Sequence, residues 1–312
     1  MQRVITAVVL VPLVVLAVFR APFWFYALII VVIALTATHE YLRLADAHSL
    51  QSLKVLTYIA VLAVLGDYYL QVVLRGIQPA SLQGRDFLHN PIAQYELALL
   101  LTSIAPFVLL VAAMRSTDLR QALPSAAVSY MAVPYIGITL GFLLFTRALI
   151  PDGSFAVFYV LLVVWSGDVG AYYAGRAIGR HRLAPRVSPG KSWEGTIASL
   201  LGSTAVGTLL LMFNAPIASR LYAWKLLNSQ SVLSNAPHPQ ANLVWLAIAA
   251  SVSINIAAQL GDLVESTIKR GAEAKDSGAL LPGHGGVLDR IDALLLASPV
   301  LWYYCSFRLI HF

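Results

Sequence analysis

The stretch SFAVFYVLLVVWSGDVGAYYA, residues 154–174, is apolar over almost its whole length and carries one charged residue, Asp168. A helix needs about 20 mostly apolar residues to cross the hydrocarbon core of a bilayer, and this stretch has 21. It therefore predicts a membrane-spanning helix. Because a carboxylate within lipid is costly, we expect Asp168 to face a protein or water-filled interior and to serve a function; the alternative is a cap or an interhelical hydrogen bond.

Eight further apolar runs flank this stretch, at residues 4–19, 22–38, 53–74, 92–114, 126–146, 195–214, 243–260 and 293–310. No alternation of period two is long enough to indicate a barrel. We therefore predict an all-α, polytopic integral membrane protein with about nine transmembrane helices. Residues 1–90 would hold helices 1–3, residues 91–175 helices 4–6, and residues 176–312 helices 7–9 with their cytoplasmic loops.

The composition agrees with residence in a bilayer. The chain of 312 residues is 59% hydrophobic and 12% charged, whereas soluble domains are about 45–50% apolar and about 25% charged. Its net charge of +6 would suggest nucleic acid as a partner for a soluble protein. In a membrane protein the same excess belongs in cytoplasmic loops that face anionic headgroups, so we expect no nucleic-acid partner.

The basic residues also predict the orientation. With the N-terminus inside, the cytoplasmic loops hold 14 Lys and Arg and the opposite loops hold 7, a bias that favours N-in and C-out. No cleavage site follows the first apolar run, so we expect it to be retained as a span. Two opposite-face segments, residues 75–91 and 215–242, are interpreted as connectors without chemistry.

The segment SPGKSWEG, residues 188–195, precedes the seventh predicted span. It lacks the first glycine of a Walker phosphate loop and no strand precedes it, so that motif is excluded. Hydroxyls, a lysine and free backbone N–H groups at a helix start still suit a phosphate, which makes Ser188, Lys191 and Ser192 candidate binding residues. The alternative is a simple N-cap and a lysine that snorkels to the interface.

A second polar segment, GDLVESTIKR at residues 261–270, places Asp262 and Glu265 three residues apart and Lys269 four beyond Glu265. On a helix these three side chains share one face. A third segment, KDSGALLPGHGGVLDRID at residues 275–292, places Asp289 and Asp292 three apart at the start of the last span. Pairing with the helix dipole would explain the two acids but not the neighbouring glycines, whose bare backbone lets a ligand approach closely.

Several carboxylates with hydroxyls and no cysteine suit a hard cation such as Mg²⁺. Lys191, Lys269, Arg270 and Arg290 would neutralise phosphate charge, and His284 is a candidate acid, base or phosphate donor, or a structural residue of the turn. Acids, metal and bases at one membrane face indicate phosphoryl or nucleotidyl transfer.

These residues resemble the phosphatidate cytidylyltransferase (CDP-diacylglycerol synthase) family. The 27 residues from Ser266 to Asp292 match its signature throughout, and Asp168-x-Gly170-Ala171-Tyr172 and Ser188-Pro189-x-Lys191-Ser192-Trp193-Glu194-Gly195 match two further blocks. The sequence departs from the family at Gly190, where a second lysine is common, and at Ser192, where Thr is frequent. The first departure removes a candidate phosphate contact, and the second keeps the hydroxyl.

The resemblance implies that CTP and phosphatidic acid react to give CDP-diacylglycerol and pyrophosphate with Mg²⁺; whether K⁺ accompanies it is left open. It implies three metal ligands: Asp262, Asp289 and Asp292. With Lys269 and Arg270 these form the candidate catalytic set. The candidate substrate-binding set is Asp168, Ser188, Lys191, Ser192, Ser266, Lys275, Asp276, His284, Gly285, Gly286 and Arg290.

Partners and location follow from the same resemblance. We expect a multi-pass protein of a bacterial inner (plasma) membrane, in contact with the lipid bilayer, with its active site on the cytoplasmic side; a homodimer is an expectation from the family alone. One alternative is an ion-coupled transporter, which would need broken helices in both halves. Another is a related CTP-using enzyme: the long signature argues against a polyprenol kinase, whereas a CDP-archaeol synthase stays open.

Overall fold

The computed structural model describes residues 2–77, 96–116, 118–149, 153–226, 241–280 and 285–306. Side chains are described in these ranges except at residues 2–9, 75–77, 96–97, 149 and 241–243. Eleven α-helices lie in the described ranges: α1 Gln2–Arg20, α2 Phe23–Ala47, α3 Lys54–Ile77, α4 Glu96–Ala113, α5 Ala122–Ala132, α6 Thr139–Leu149, α7 Gly153–Ile178, α8 Trp193–Met212, α9 Asn214–Ala223, α10 Ala241–Gly271 and α11 Leu288–Ser306.

Six helical stretches in the described ranges are long and apolar enough to cross a membrane. They are Phe23–Ala47, Lys54–Leu74, Leu119–Ala148, Gly153–Ile178, Trp193–Met212 and Val244–Gly271. The apolar parts of α1 and α4, at Leu10–Arg20 and Ala98–Ala113, are shorter, and α11 is helical where the ninth span is predicted. The all-α, multi-pass architecture is thus confirmed, while the count of nine and the three-part division stay predictions.

The fifth predicted span is one helical rod with a change of winding. A short 3₁₀ turn at Leu119–Gln121 leads into α5, and the segment Val133–Ile138 between α5 and α6 is π-helical. Pro134 lies in this segment; a proline lacks the N–H that an α-helix interior requires, which favours a local departure from α geometry. Tyr135 also lies in this π-helical segment, and such segments are frequent at functional sites.

Small and polar residues pack α7 against α8 and α10. A Cβ on Gly167 would lie 2.5 Å from Asn255 Nδ2 and 2.6 Å from Ser203 Oγ, so only glycine fits there. Asn255 Nδ2 in turn donates to Ser199 Oγ at 2.9 Å and to Ser203 Oγ at 2.7 Å. Close backbone approach with interhelical hydrogen bonds is the usual way helices associate in lipid, and it fixes the relative positions of α7, α8 and α10.

Two details depart from the sequence interpretation. The predicted cytoplasmic loop before α8 contains a two-stranded antiparallel ribbon, β1 Arg182–Ala184 with β2 Ser188–Ser192. The predicted connector 215–242 begins with α9, and its residues 227–240 lie outside the described residues. Residues 78–91 of the other connector, 75–91, also lie outside them. Both elements are short and carry no long apolar run, which is why span-length hydropathy missed them.

Candidate functional site

Lys269 joins two buried carboxylates at the end of α10. Its Nζ contacts Glu265 on the same helix and lies 2.6 Å from Asp289 Oδ1 at the start of α11. The side chains are 12%, 0% and 5% exposed for Lys269, Glu265 and Asp289. The predicted helical face with Glu265 and Lys269 four apart is confirmed, because the two residues form an ion pair.

Asp289 is engaged on both oxygens. Oδ1 faces the Lys269 ammonium, while Oδ2 accepts from Ser277 N at 2.9 Å, from Gly286 N at 2.8 Å and lies 3.0 Å from Ser277 Oγ. Charge-assisted bonds to backbone N–H groups are stronger than neutral ones. Asp289 therefore fixes the turn that precedes α11 as well as supplying negative charge.

Asp262 and Lys191 form the second ion pair of the site. Lys191 Nζ, on strand β2, lies 2.6 Å from Asp262 Oδ2, with 24% and 36% of the two side chains exposed. Ser266 Oγ, one turn along α10, donates to Asp262 Oδ1 at 3.3 Å and is itself buried. The predicted binding residues Lys191 and Ser266 are thus both brought to the predicted metal ligand Asp262.

Asp168 and Asp292 complete this group of charges. Asp292 lies within electrostatic range of both Asp262 and Asp168, and Asp168 lies within range of Asp262, Lys191 and Arg290. The side chain of Asp168 is exposed in the described structure, so it is not enclosed within the helix bundle. Three carboxylates from α7, α10 and α11 are therefore within electrostatic range of one another, and Lys191 and Arg290 are within range of Asp168.

The three predicted metal ligands are divided between these neighbouring groups. Asp262 and Asp292 are close to each other, whereas Asp289 is held by Lys269, Ser277 and Gly286. Across the described ranges, no three Asp, Glu, His or Cys side chains stand close enough together to hold one metal ion. Asp262 is instead paired with the Lys191 ammonium and Asp289 with the Lys269 ammonium.

Ser192 serves as the N-cap of α8. Its hydroxyl accepts from Gly195 N at 3.2 Å and the residue is 4% exposed, which favours the capping interpretation over direct substrate contact. The ribbon is anchored to the same helix start, because Trp193 N donates to His181 O at 2.9 Å and His181 Nδ1 lies 2.7 Å from Glu194 Oε1.

The remaining predicted residues lie around this core. Ser188 is half-buried on β2, and Lys275, Asp276 and Arg290 are exposed. Arg270 is exposed as well, with its Nε donating to Val187 O at 3.1 Å, so it ties α10 to the turn of the ribbon. His284 lies outside the described residues.

The glycines before α11 have packing roles that the sequence interpretation did not foresee. Gly285 has φ of +77°, a left-handed conformation that favours glycine. Gly286 is buried, its N–H is used by Asp289, and a Cβ there would collide with Ser277 Oγ and Glu40 Oε2. The bare backbone at Gly286 therefore admits protein side chains.

Two residues of the site were missed by sequence reasoning. Glu40, on α2, is buried and accepts hydrogen bonds from Ser277, Val287 and Leu288; its only signal was an acid near the end of an apolar run. Tyr135, on the π-helical segment, is 4% exposed and within electrostatic range of Glu265, Asp292 and Asp262. Its hydroxyl has no hydrogen-bond partner among the described residues.

Comparison with known proteins gives two results. The model of a family described as the cytidylyltransferase family matches residues 1–308. The chain is also 40% identical over 157 residues to a phosphatidate cytidylyltransferase of Haemophilus influenzae and 38% identical over 177 residues to one of Staphylococcus haemolyticus. These alignments cover 50% and 56% of this chain, and 48% and 57% of the two relatives. The chain thus spans about half the length of the curated relatives it matches.

Proposed function

Because the chain belongs to the cytidylyltransferase family, we propose that it transfers the cytidylyl group of CTP to phosphatidic acid, giving CDP-diacylglycerol and pyrophosphate in phospholipid biosynthesis. The names of the matched relatives support this substrate pair. The observation that carries the proposal is the convergence of Asp168, Asp262 and Asp292 with Lys191 at one end of an apolar helix bundle.

Acids and bases so arranged suit a reaction between two anions. The lipid phosphate oxygen attacks the α-phosphorus of CTP and pyrophosphate leaves, so negative charge must be balanced on both sides of the reacting centre. Lys191, Lys269 and Arg290 are proposed to bind phosphate oxygens, with Arg270 and Lys275 at the rim. The attacking oxygen is already an anion, so the site needs accurate positioning more than a strong general base.

The acids fit Mg²⁺ by their chemistry. They offer hard carboxylate oxygens, and Mg²⁺ is usually held by one or two carboxylates with substrate phosphates and waters. We propose Asp262 and Asp292 as the nearest ligands; Asp289 could add an oxygen after the Lys269 ammonium moves from Oδ1. When bound, Mg²⁺ would neutralise charge on the triphosphate. Whether K⁺ joins it stays open.

Location and assembly are proposed on the same basis. The apolar helices and bacterial relatives support a multi-pass membrane protein, and we propose the plasma membrane with the site on the cytoplasmic face, N-terminus in and C-terminus out. CTP would then arrive from the cytoplasm and phosphatidic acid laterally from the bilayer. The homodimer rests on the family resemblance alone.

The test is formation of CDP-diacylglycerol by purified protein in detergent, with CTP, Mg²⁺ and phosphatidic acid. Asp289→Asn should reduce the rate by at least about a hundredfold, as expected when a charged group that supports the transition state is lost. Asp67→Asn is the matched control: Asp67 is a buried acid on α3 that accepts from Gln71 on the same helix, and no described hydrogen bond or ion pair joins it to the site residues. It should keep wild-type activity.

Three other results would contradict parts of the proposal. If product forms from an isoprenoid-linked phosphate and none forms from phosphatidic acid, the lipid substrate is the archaeal one and the chain is a CDP-archaeol synthase. If folded wild-type protein forms no product from any lipid phosphate, the transferase proposal is wrong and the transporter alternative becomes the hypothesis to test. Full activity in Asp289→Asn would keep the reaction and remove Asp289 from it.

A further inference from the structure

We propose that Glu40 and Arg43 of helix α2 are positioning residues, which hold the turn before α11 so that Asp289 and Asp292 face the reacting phosphates. This inference rests on the proposed function. It assigns a part of the active site to the N-terminal helices, more than 230 residues upstream of the segment they support.

Glu40 acts as a helix cap supplied by another helix. Its Oε1 accepts from Val287 N at 3.0 Å and its Oε2 accepts from Leu288 N at 2.8 Å. Leu288 is the first residue of α11, whose opening N–H groups have no partner within the helix. A carboxylate at this end is favoured both by these bonds and by the helix dipole. Asp289 and Asp292 are carried by the turn of helix that Glu40 caps.

Ser277 connects the same carboxylate to Asp289. Its Oγ lies 2.9 Å from Glu40 Oε2 and 3.0 Å from Asp289 Oδ2, so one hydroxyl stands between the two acids. The Ser277 N–H donates to Asp289 Oδ2 at 2.9 Å. A shift of Glu40 would therefore be transmitted through Ser277 to the carboxylate that faces Lys269.

Arg43 holds the same residue from its other side. Its guanidinium donates to the Ser277 carbonyl at 2.6 Å. Because Arg43 lies three residues after Glu40 on α2, both side chains project from one face of that helix. The pair therefore fixes Ser277 through its hydroxyl and its carbonyl together.

Two glycines of the signature leave room for Glu40. A Cβ on Gly278 would collide with Glu40 Oε1, and one on Gly286 would collide with Glu40 Oε2. Glu40 is 4% exposed, so its carboxylate is enclosed by the turn. The turn before α11 is thus shaped around this side chain, which a lipid-anchoring role for α2 would not require.

The experiment compares Glu40→Gln with Asp67→Asn, two buried acid-to-amide changes on N-terminal helices. Glutamine keeps one acceptor oxygen and replaces the other with an NH₂ group, which cannot accept the bond from Val287 or Leu288. Hydrogen exchange of the peptide that contains these two amides should become roughly tenfold or more faster in Glu40→Gln, as expected for losing a bond to a charged group. Asp67→Asn should leave it at the wild-type rate.

Kinetics separate positioning from simple stabilisation. The kinetic comparison is made at a temperature at which Glu40→Gln and Asp67→Asn are both folded. In Glu40→Gln, kcat should fall about tenfold or more while KM for CTP changes less than about threefold. The reason is that the geometry of the reacting groups is lost while ground-state binding of CTP is kept. Faster exchange with unchanged kcat would overturn the positioning role and leave a structural cap. Unchanged exchange and unchanged kcat would overturn the inference entirely.

Arg43→Gln keeps the inference testable if Glu40→Gln does not fold. Arg43 is exposed, so its replacement removes the bond to the Ser277 carbonyl without leaving a buried charge. We expect Arg43→Gln to lower kcat and to speed hydrogen exchange, as Glu40→Gln should. Wild-type values of both would overturn the proposal that Glu40 and Arg43 act together as positioning residues. If wild-type protein makes no CDP-diacylglycerol, the proposed function fails, while the exchange comparison still decides whether Glu40 holds the turn.

Discussion

Replacement of Lys269 by Met should destabilise the protein far more than the same replacement of Lys191. Lys269 faces two carboxylates, Glu265 and Asp289, whose side chains are 0% and 5% exposed. Without the ammonium, both acids stay buried with no opposing charge from this helix. Breaking a buried ion pair by removing one partner costs about 3–5 kcal/mol, most of it from the charge left behind.

The control is the ion pair of Lys191 with Asp262, which joins the same chemical groups but is more exposed to solvent. Lys191 and Asp262 are 24% and 36% exposed, so screening reduces the loss to about 1 kcal/mol or less. A third variant, Glu265→Gln in the Lys269→Met background, removes one of the uncompensated charges. It should recover about 0.5–3 kcal/mol, the coupling expected between residues in direct contact.

The assay is equilibrium unfolding of detergent-solubilised protein in increasing denaturant, followed by helix content. The order of stability should be wild type, then Lys191→Met, then the double variant, then Lys269→Met. Equal losses for the two single lysine variants would refute the reasoning, because burial would then have no influence on the cost. A double variant no more stable than Lys269→Met would show that Glu265 is not the charge left uncompensated.

Three further changes test other parts of the site. Tyr135→Phe should leave stability equal or up to about 1 kcal/mol higher, because it removes a buried hydroxyl without a partner, and should lower the initial rate if that hydroxyl meets substrate; equal rates would exclude such contact. Gly286→Ala should lower the melting temperature and the rate, because its Cβ collides with Ser277 and Glu40, whereas Gly190→Ala, with nothing within 4 Å, should match wild type on both measurements. Removal of divalent ions with EDTA should abolish product formation and Mg²⁺ should restore it, while activity that persists in EDTA would exclude the proposed metal.

Local spacing predicted the parts of the site that lie on one helix. The four-residue step from Glu265 to Lys269 predicts that the two side chains share one helical face, and the structure joins them in an ion pair, because both residues belong to the uninterrupted helix α10. The apolar runs predicted the helices for a similar reason, since length and composition alone decide whether a segment can cross a bilayer.

Partners far apart in sequence could not be predicted in the same way. Asp289 and Asp292 share a helical face, yet the first turns to Lys269 and the second to Asp262 and Asp168. Helical spacing predicts which side chains project from one face of a helix, but it does not predict which other helix packs against that face. The partnership of Glu40 with Ser277 bridges 237 residues and depends wholly on that packing.

The position of Glu40 changes the interpretation of the glycine-rich turn. From sequence, bare backbone beside carboxylates favours close approach of a ligand, but the side chain that approaches Gly278 and Gly286 is Glu40. Because the turn closes around an acid from α2, we expect its shape to depend on that helix. The charged end of the bundle is therefore assembled from both ends of the chain, which agrees with a family match that begins at residue 1 rather than at the first charged motif. A fragment without α2 would leave the Val287 and Leu288 N–H groups without the carboxylate that accepts from them.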